Sequence, residues 1–403
     1  MKNIQLFKYQ EEGIDLICNK YKDVLLADHP GAGKTCQAII AAERLGCKSI
    51  LVICPASLKE NWKREFKKWS EKEFDLTVMS YDKTIKGYPS KLNGKKEVCY
   101  DLLILDEAHY LKNPISLRTK FCLRYFWDKA KKRICITGTP LPNGRAIEAY
   151  SLFNKLCPFI FKSKQSFIDN YCVKQVTPWG VNFNTSKNLE TLGQIARDNF
   201  MIRRKREDTI GQLPPIIRQK IFLDTTAHPY TDIFDPDKDL SKEIKSEWRK
   251  LGMEKIKASL DYILMLLREV ENCVVFAHHT DVIEALKRGL DANNVTNCLL
   301  IGYMNGEERQ KSVDEFQAGK HKVFLGSIHA ANVGITLTAS SDIVFVECDW
   351  VPATNEQAEG RCFRISQTSI TRSHYLIIPN SLDEVITSAV LKKQKDILKI
   401  MRN

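Results

Sequence analysis

The apolar run Val24–Ala27 leads into Asp28-His29-Pro30-Gly31-Ala32-Gly33-Lys34-Thr35 and then into a helical pattern. A chain with this unit is committed to a parallel sheet covered by helices. A strand that enters a helix through glycines leaves the first helical N–H groups without partners, and those donors form an anion site. Gly31 and Gly33, with Ala32 between them, let the backbone close around phosphate. Lys34 reaches the β- and γ-phosphates, and Thr35 offers a hydroxyl to Mg²⁺. The first glycine of the full phosphate-loop pattern is Asp28 here. A second apolar run, Leu102–Leu105, ends in Asp106-Glu107. Asp106 reads as a second metal ligand and Glu107 as the group that polarises an attacking water. The glycine turn and the strand-end carboxylates together imply hydrolysis of a nucleoside triphosphate.

The first half of the chain alternates strand and helix. Strands are expected at Val24–Ala27, Ile50–Cys54, Leu76–Met79, Leu102–Leu105 and Ile134–Thr137. Ser57 and Glu60 form a capping-box pattern before a helix whose Leu58, Trp62, Phe66 and Trp69 share a face. Lobe 1 is assigned residues 1–144. Residues 145–212 break the alternation and read as a helical insertion, and 213–257, with the loop-like Asp235–Asp239, read as a linker. Alternation resumes in 258–380, with strands at Cys273–Ala277, Asn297–Ile301, Val323–Gly326, Ile343–Glu347 and Tyr375–Ile378. Residues 381–403 form a closing helix started by Ser381 and Glu384, with an apolar face to dock on the core.

The chain has 403 residues, 43% hydrophobic and 27% charged, which suits a globular protein of two or three domains. No run of about 18 apolar residues occurs, and the polar start Met1–Gln5 does not open a secretory signal, so no membrane partner is expected. The cytoplasm or nucleoid, or the nucleus in a eukaryote, is the expected place. The thirteen cysteines lack C-x-x-C spacing, and Cys54, Cys135 and Cys273 sit in apolar strands, as reduced core thiols do. A net charge of +12 and a pI near 9.0 suit phosphate-backbone binding, although lysine-rich helix faces contribute.

In the second half, Gln357-Ala358-Glu359-Gly360-Arg361-Cys362-Phe363-Arg364 places two arginines three apart on one helix face. Beside Lys34 and Glu107 they read as arginine fingers for the transferring phosphate. With these motifs in order, the chain resembles superfamily 2 helicases, and among them the SNF2 family of double-stranded DNA translocases. Tyr9-Gln10 is similar to the adenine-reading glutamine motif. Ile53–Leu58 with Asn61-Trp62 resembles a first DNA-contact motif, Asp106–Asn113 the Walker B signature and Thr137-Gly138-Thr139-Pro140 a coupling motif. Gly326-Ser327 through Gly334–Thr338, then Asp349-Trp350, resembles the second-lobe DNA motif.

The resemblance implies two RecA-like α/β lobes, ATP and Mg²⁺ as ligands, and duplex or branched DNA as partner of a monomer. The catalytic set is Lys34, Asp106, Glu107, Gln357, Arg361 and Arg364. Gln10, Gly31, Ala32, Gly33, Lys34, Thr35 and Gly334 hold ATP, with Thr35 and Asp106 on the metal. Pro55, Ser57, Trp62, Ser80, Thr139, His278, Ser327 and Trp350 meet DNA, although Trp350 also suits a core. Tyr171-Cys172, Pro178-Trp179-Gly180, Asn188-Leu189, Arg203-Arg204 and Phe276–His279 resemble the annealing-helicase, fork-remodelling branch.

Departures from the family pattern are His29-Pro30 and Ala32 in the loop; His329, Ala331 and Asn332 in the second-lobe motif; and Gly360 and Ser366 near the arginines. His29 reads as a tolerated surface change. The start just before Gln10 leaves out that branch's annealing modules, and the compact size suits a bacterial, phage or viral genome. The resulting expectation is an ATP-dependent double-stranded DNA translocase that remodels forks or branched DNA. A strand-separating DNA or RNA helicase and a non-hydrolysing repair scaffold are the rivals.

Overall fold

The computed structural model describes residues 6–86, 99–177, 180–204, 216–225, 242–331, 335–363, 367 and 369–401. Arg364, Gly334, Asn332, Ser366, Pro178-Trp179 and the 235–239 loop lie outside the described residues. The chain divides into two compact units, Met1–Gly211 with Asp396–Asn403, and Gln212–Lys395.

In the first unit, strands β1 (Asp23–Leu26), β2 (Ser49–Cys54), β3 (Asp75–Ser80), β4 (Tyr100–Asp106) and β5 (Ala130–Ile136) form a parallel sheet. Successive side chains go to opposite faces. Leu25, Leu51, Ile53, Leu103 and Leu105 enter one buried cluster, while Val24, Leu26, Ile50, Val52, Leu102 and Ile104 enter the other. A sheet covered on both faces selects continuous apolar runs, which is why these strands are readable as such.

The 145–212 segment is not a separate helical insertion. It contains an antiparallel hairpin, β6 (Cys172–Thr177) with β7 (Gly180–Ser186), and a short strand β8 (Met201–Ile202) that pairs in parallel with Leu25 and Leu26. Phe153, Phe161, Phe167, Tyr171 and Phe200 pack ring to ring in the same cluster as Leu25. The sheet order is β3-β2-β4-β5-β1-β8.

The second unit holds β10 (Cys273–Ala277), β11 (Asn297–Leu300), β12 (Val323–Ser327), β13 (Asp342–Phe345) and β14 (Thr371–Ile377). The stretch read as a linker supplies a sixth strand, β9 (Ile216–Phe222), parallel to β14 with Thr371 opposite Ile216. The order is β11-β12-β10-β13-β14-β9. Helix Leu382–Met401 begins where expected: Ser381 Oγ accepts from the Asp383 N–H at 3.1 Å, and Glu384 takes the Asn380 N–H at 2.8 Å.

The Ser57–Glu60 capping box does not form. A 3₁₀ turn, Ala56–Leu58, intervenes, the helix Lys59–Trp69 starts without a side-chain cap, and Glu60 pairs with Lys63 at 2.9 Å. All thirteen cysteines are free thiols.

Candidate active site

Parallel strands deliver their chain ends to one edge of a sheet, and in such sheets ligands gather there. In the first unit β4, β5 and β1 are neighbours, so Asp106, Thr137 and the loop after Ala27 come to that edge together. The loop turns through Gly31 (φ 87°) and Gly33 (φ 70°), both in the left-handed region, and Gly33 precedes the helix Lys34–Arg44. A Cβ on Gly33 would stand 2.4 Å from Gln10 Nε2, so the side-chain amide occupies the space that glycine leaves. That amide donates to the Ala32 carbonyl at 3.4 Å, and Gln10 Oε1 accepts the Phe7 N–H at 3.1 Å.

Lys34 Nζ donates to the carbonyls of Asp28 (2.7 Å) and His29 (2.9 Å), folded back on its own loop. Burial brings its ammonium down to about 8, against the pull of Glu107 and Asp28. His29 is buried rather than at the surface: its ring reaches Pro30 O at 2.7 Å, closing over the loop.

Asp106 is gripped from three sides. One oxygen accepts the Trp62 indole N–H at 2.8 Å, the other accepts the Glu107 N–H at 3.0 Å, and its carbonyl takes the Tyr81 hydroxyl at 2.7 Å. Burial, and then the neighbouring Glu107, push its carboxyl up to about 7, with the Trp62 bond working the other way. Glu107 itself adopts φ 50°, which swings it off the strand line. His109 Nδ1 lies 3.2 Å from Glu107 Oε2 and 3.0 Å from Thr137 Oγ1, and Thr137 Oγ1 in turn accepts the Thr139 N–H at 3.1 Å. The carboxylate edge is thereby tied to the Thr137–Thr139 turn.

Two crowded carboxylates, one of them raised by burial and by the other, are the donor set that a hard divalent cation relieves. With the Thr35 hydroxyl at the helix start, these residues fit Mg²⁺, and the glycine cradle fits a phosphate chain.

Sequence reasoning missed what holds the loop. Asp28, fully buried, forms a bidentate pair with Arg204: Nη2 to Oδ2 at 2.6 Å and Nε to Oδ1 at 3.2 Å, with the Arg204 N–H also on Oδ1 at 3.0 Å. Arg204 further donates to Gln37 at 2.9 Å and lies over the Tyr9 ring. Arg203 donates to the carbonyls of Ala27 and Gly138. The sequence signals for this clamp were the departure from glycine at Asp28 and the Arg203-Arg204 pair, which was read only as a family resemblance.

Of the residues assigned to DNA, Trp62 is corrected. It is 1% exposed and committed to Asp106, so it positions a carboxylate instead of meeting a ligand. Ser80, Thr139 and Ser327 are also buried, whereas Ser57 is exposed and Pro55 part-exposed. In the second unit, Gln357 and Arg361 are part-exposed on the helix Pro352–Cys362. That helix is fixed by Glu359, which accepts from Arg218 of β9 at 2.6 Å and from the Tyr375 hydroxyl at 3.1 Å. Trp350 is half-buried and edge-on to Trp248 at 5.4 Å, and His278 lies 4.2 Å from the Trp248 ring.

Comparison with known proteins adds family relationships. The SNF2-related domain matches residues 9–103 and 71–274, and the helicase conserved C-terminal domain matches 254–366. A Xenopus tropicalis protein, SWI/SNF-related matrix-associated actin-dependent regulator of chromatin subfamily A-like protein 1, is 29% identical over 97% of this chain and 44% of its own length. The Bos taurus DNA annealing helicase and endonuclease ZRANB3 is 29% identical over 96% of this chain and 40% of its own. The chain thus spans less than half of these relatives. Both come from animals and lend no support to a bacterial, phage or viral source. Among solved structures, the Sulfolobus solfataricus SWI2/SNF2 ATPase core in complex with dsDNA aligns with TM-score 0.44 and 21% identity, over 99% of this chain and 97% of that one.

Proposed function

We propose that this chain, which belongs to the SNF2-related family, is an ATP-driven translocase on double-stranded DNA that remodels forks or branched DNA. The observation that carries the reading is the meeting of Lys34 with Asp106 and Glu107 at one sheet edge, where burial brings the ammonium down to about 8 and the Asp106 carboxyl up to about 7. Charges held this far from their ordinary balance mark a site built for a ligand of its own.

Thr35 and Asp106 would hold Mg²⁺, which supplies positive charge to the β- and γ-phosphates. Lys34 exchanges its two loop carbonyls for phosphate oxygens, and the Gly31–Gly33 N–H groups take the rest. Glu107 orients the attacking water, and His109 relays its position to Thr137 and the following turn. Gln10, already at Ala32, orients adenine. Arg361 and Arg364, with Gln357, are assigned to the charge that develops on the γ-phosphate. Release of that phosphate would then bias contacts to the DNA backbone, which are mainly electrostatic and therefore salt-sensitive.

The test is the ATP hydrolysis rate at fixed salt with duplex, forked and single-stranded DNA and with RNA. Strong stimulation by forks over linear duplex supports remodelling, and equal stimulation leaves a generic translocase. Preference for single strands or RNA favours a strand-separating helicase. No hydrolysis under any condition favours a scaffold.

A further inference from the structure

The second sheet repeats the geometry of the first at its own carboxyl edge. β12, β10 and β13 are adjacent, and just past their ends stand His329, His278 and Asp349. We propose that these three side chains form a site for a divalent transition metal of the zinc class, with a coordination position open to solvent. His278 Nδ1, His329 Nε2 and an Asp349 oxygen all lie within 4.8 Å of one another. Asp349 Oδ2 is 3.1 Å from His329 Nε2 and 3.6 Å from His278 Nδ1. A tetrahedral ion with bonds of about 2.0–2.1 Å sets its ligands roughly 3.4 Å apart. Two of the three separations already bracket that value, and the third is within 4.8 Å.

The surroundings orient the donors. The other Asp349 oxygen, Oδ1, accepts the Val351 N–H at 2.7 Å, and the Asp349 N–H donates to Asn355 Oδ1 at 2.8 Å, so Oδ2 is the oxygen turned to the histidines. Asn355 is fully buried and returns its amide to the Asp349 carbonyl at 2.8 Å. His278 is held by Trp248, and its Nδ1 is a buried nitrogen without a hydrogen-bond partner. Such outer contacts characterise metal ligands, whose orientation they fix. The His329 side chain is 58% exposed and Asp349 5%, which gives an ion a way in from solvent and a buried carboxylate to meet. Two imidazoles and a carboxylate suit Zn²⁺, Co²⁺ or Ni²⁺, and are softer than the oxygen set favoured by Mg²⁺.

Chelator-stripped full chain titrated with Zn²⁺ in a calorimeter should take up one equivalent, and the same ion should raise the melting temperature. Co²⁺ should give the intense visible absorption of a four-coordinate centre. His329→Ala, at an exposed position that folding tolerates, should weaken Zn²⁺ binding by about tenfold or more and abolish the Co²⁺ band. His278→Gln should do the same, with an unaltered far-ultraviolet dichroism spectrum to show that it folds. Absence of uptake by the intact chain, or uptake unchanged in both variants as thiol binding would give, overturns the proposal.

Discussion

At the edge of the first sheet, β4, β5 and β1 end in the Asp106-Glu107 pair, the Thr137–Thr139 turn and the glycine loop. At the matching edge of the second, β12, β10 and β13 end in His329, His278 and Asp349. The backbone arrangement is shared and the chemistry is not. In the first unit the helix starting at Lys34 follows left-handed glycines that leave its opening donors bare. In the second, the helix Thr280–Ala292 begins under a protein carboxylate: Glu347 accepts the N–H groups of His278 (3.0 Å) and His279 (2.9 Å) and pairs with the His279 ring at 2.8 Å. Buried Glu347 thus answers the last two N–H groups before that helix with a protein carboxylate. A parallel edge collects chain ends, and whether the N–H groups of the turn there are already answered decides what it can bind.

The largest effect is expected at Glu107. Glu107→Gln should slow hydrolysis by about 10²–10⁴ while nucleotide binding persists, measured by single-turnover kinetics beside a binding titration. An unchanged rate would leave the two edges chemically equivalent. Next comes the loop clamp. Arg204→Met leaves the buried Asp28 carboxylate without its partner and should cost about 3–5 kcal/mol in urea unfolding of the first unit. Glu347→Ala exposes the contrast from the other side: removing the acceptor of two part-buried N–H groups should cost about 1–3 kcal/mol in the second unit.

Smaller effects refine the picture. Trp62→Phe keeps an aromatic side chain but drops the bond to Asp106, and the Mg²⁺ concentration needed for half-maximal hydrolysis should rise about tenfold. Asp342 offers a pH test confined to the second unit. Burial raises its carboxyl, but hydrogen bonds from His374, Arg372 and Ser341 prevail and hold it at about 2. Its folded value lies below the ordinary one, so it adds stability above about pH 4 that is lost as pH falls through about 2. Asp342→Asn should cost about 1–2 kcal/mol at neutral pH, water at the part-exposed Arg372 softening the loss, and the difference should vanish below about pH 2.

The central strands were legible because both faces are buried, so each reads as an unbroken apolar run. β9 was not: Ile216–Phe222 is an edge strand carrying Arg218, Gln219 and Lys220, and its charges hid it in a presumed linker. The hairpin Cys172–Ser186 escaped because its exposed positions mix Val173, Val176 and Val181 with Lys174, Gln175 and Thr185, so neither face reads as an apolar stripe. Lys34-Thr35 and Asp106-Glu107 could be singled out because each is an adjacent pair within a short motif. The Asp28–Arg204 clamp joins residues 176 positions apart, and no short window contains both. Trp62 was misassigned because a helical aromatic stripe does not reveal which ring reaches across the sheet edge to a carboxylate.

The paired grip of Arg203 and Arg204 has a mechanical consequence. The two residues lie where the chain is about to leave the first unit, and they are fastened to the end of β1, to the Gly138 turn and to the carboxylate at the root of the phosphate cradle. Loosening either arginine should therefore loosen the loop before Lys34 and the Thr137–Thr139 turn together.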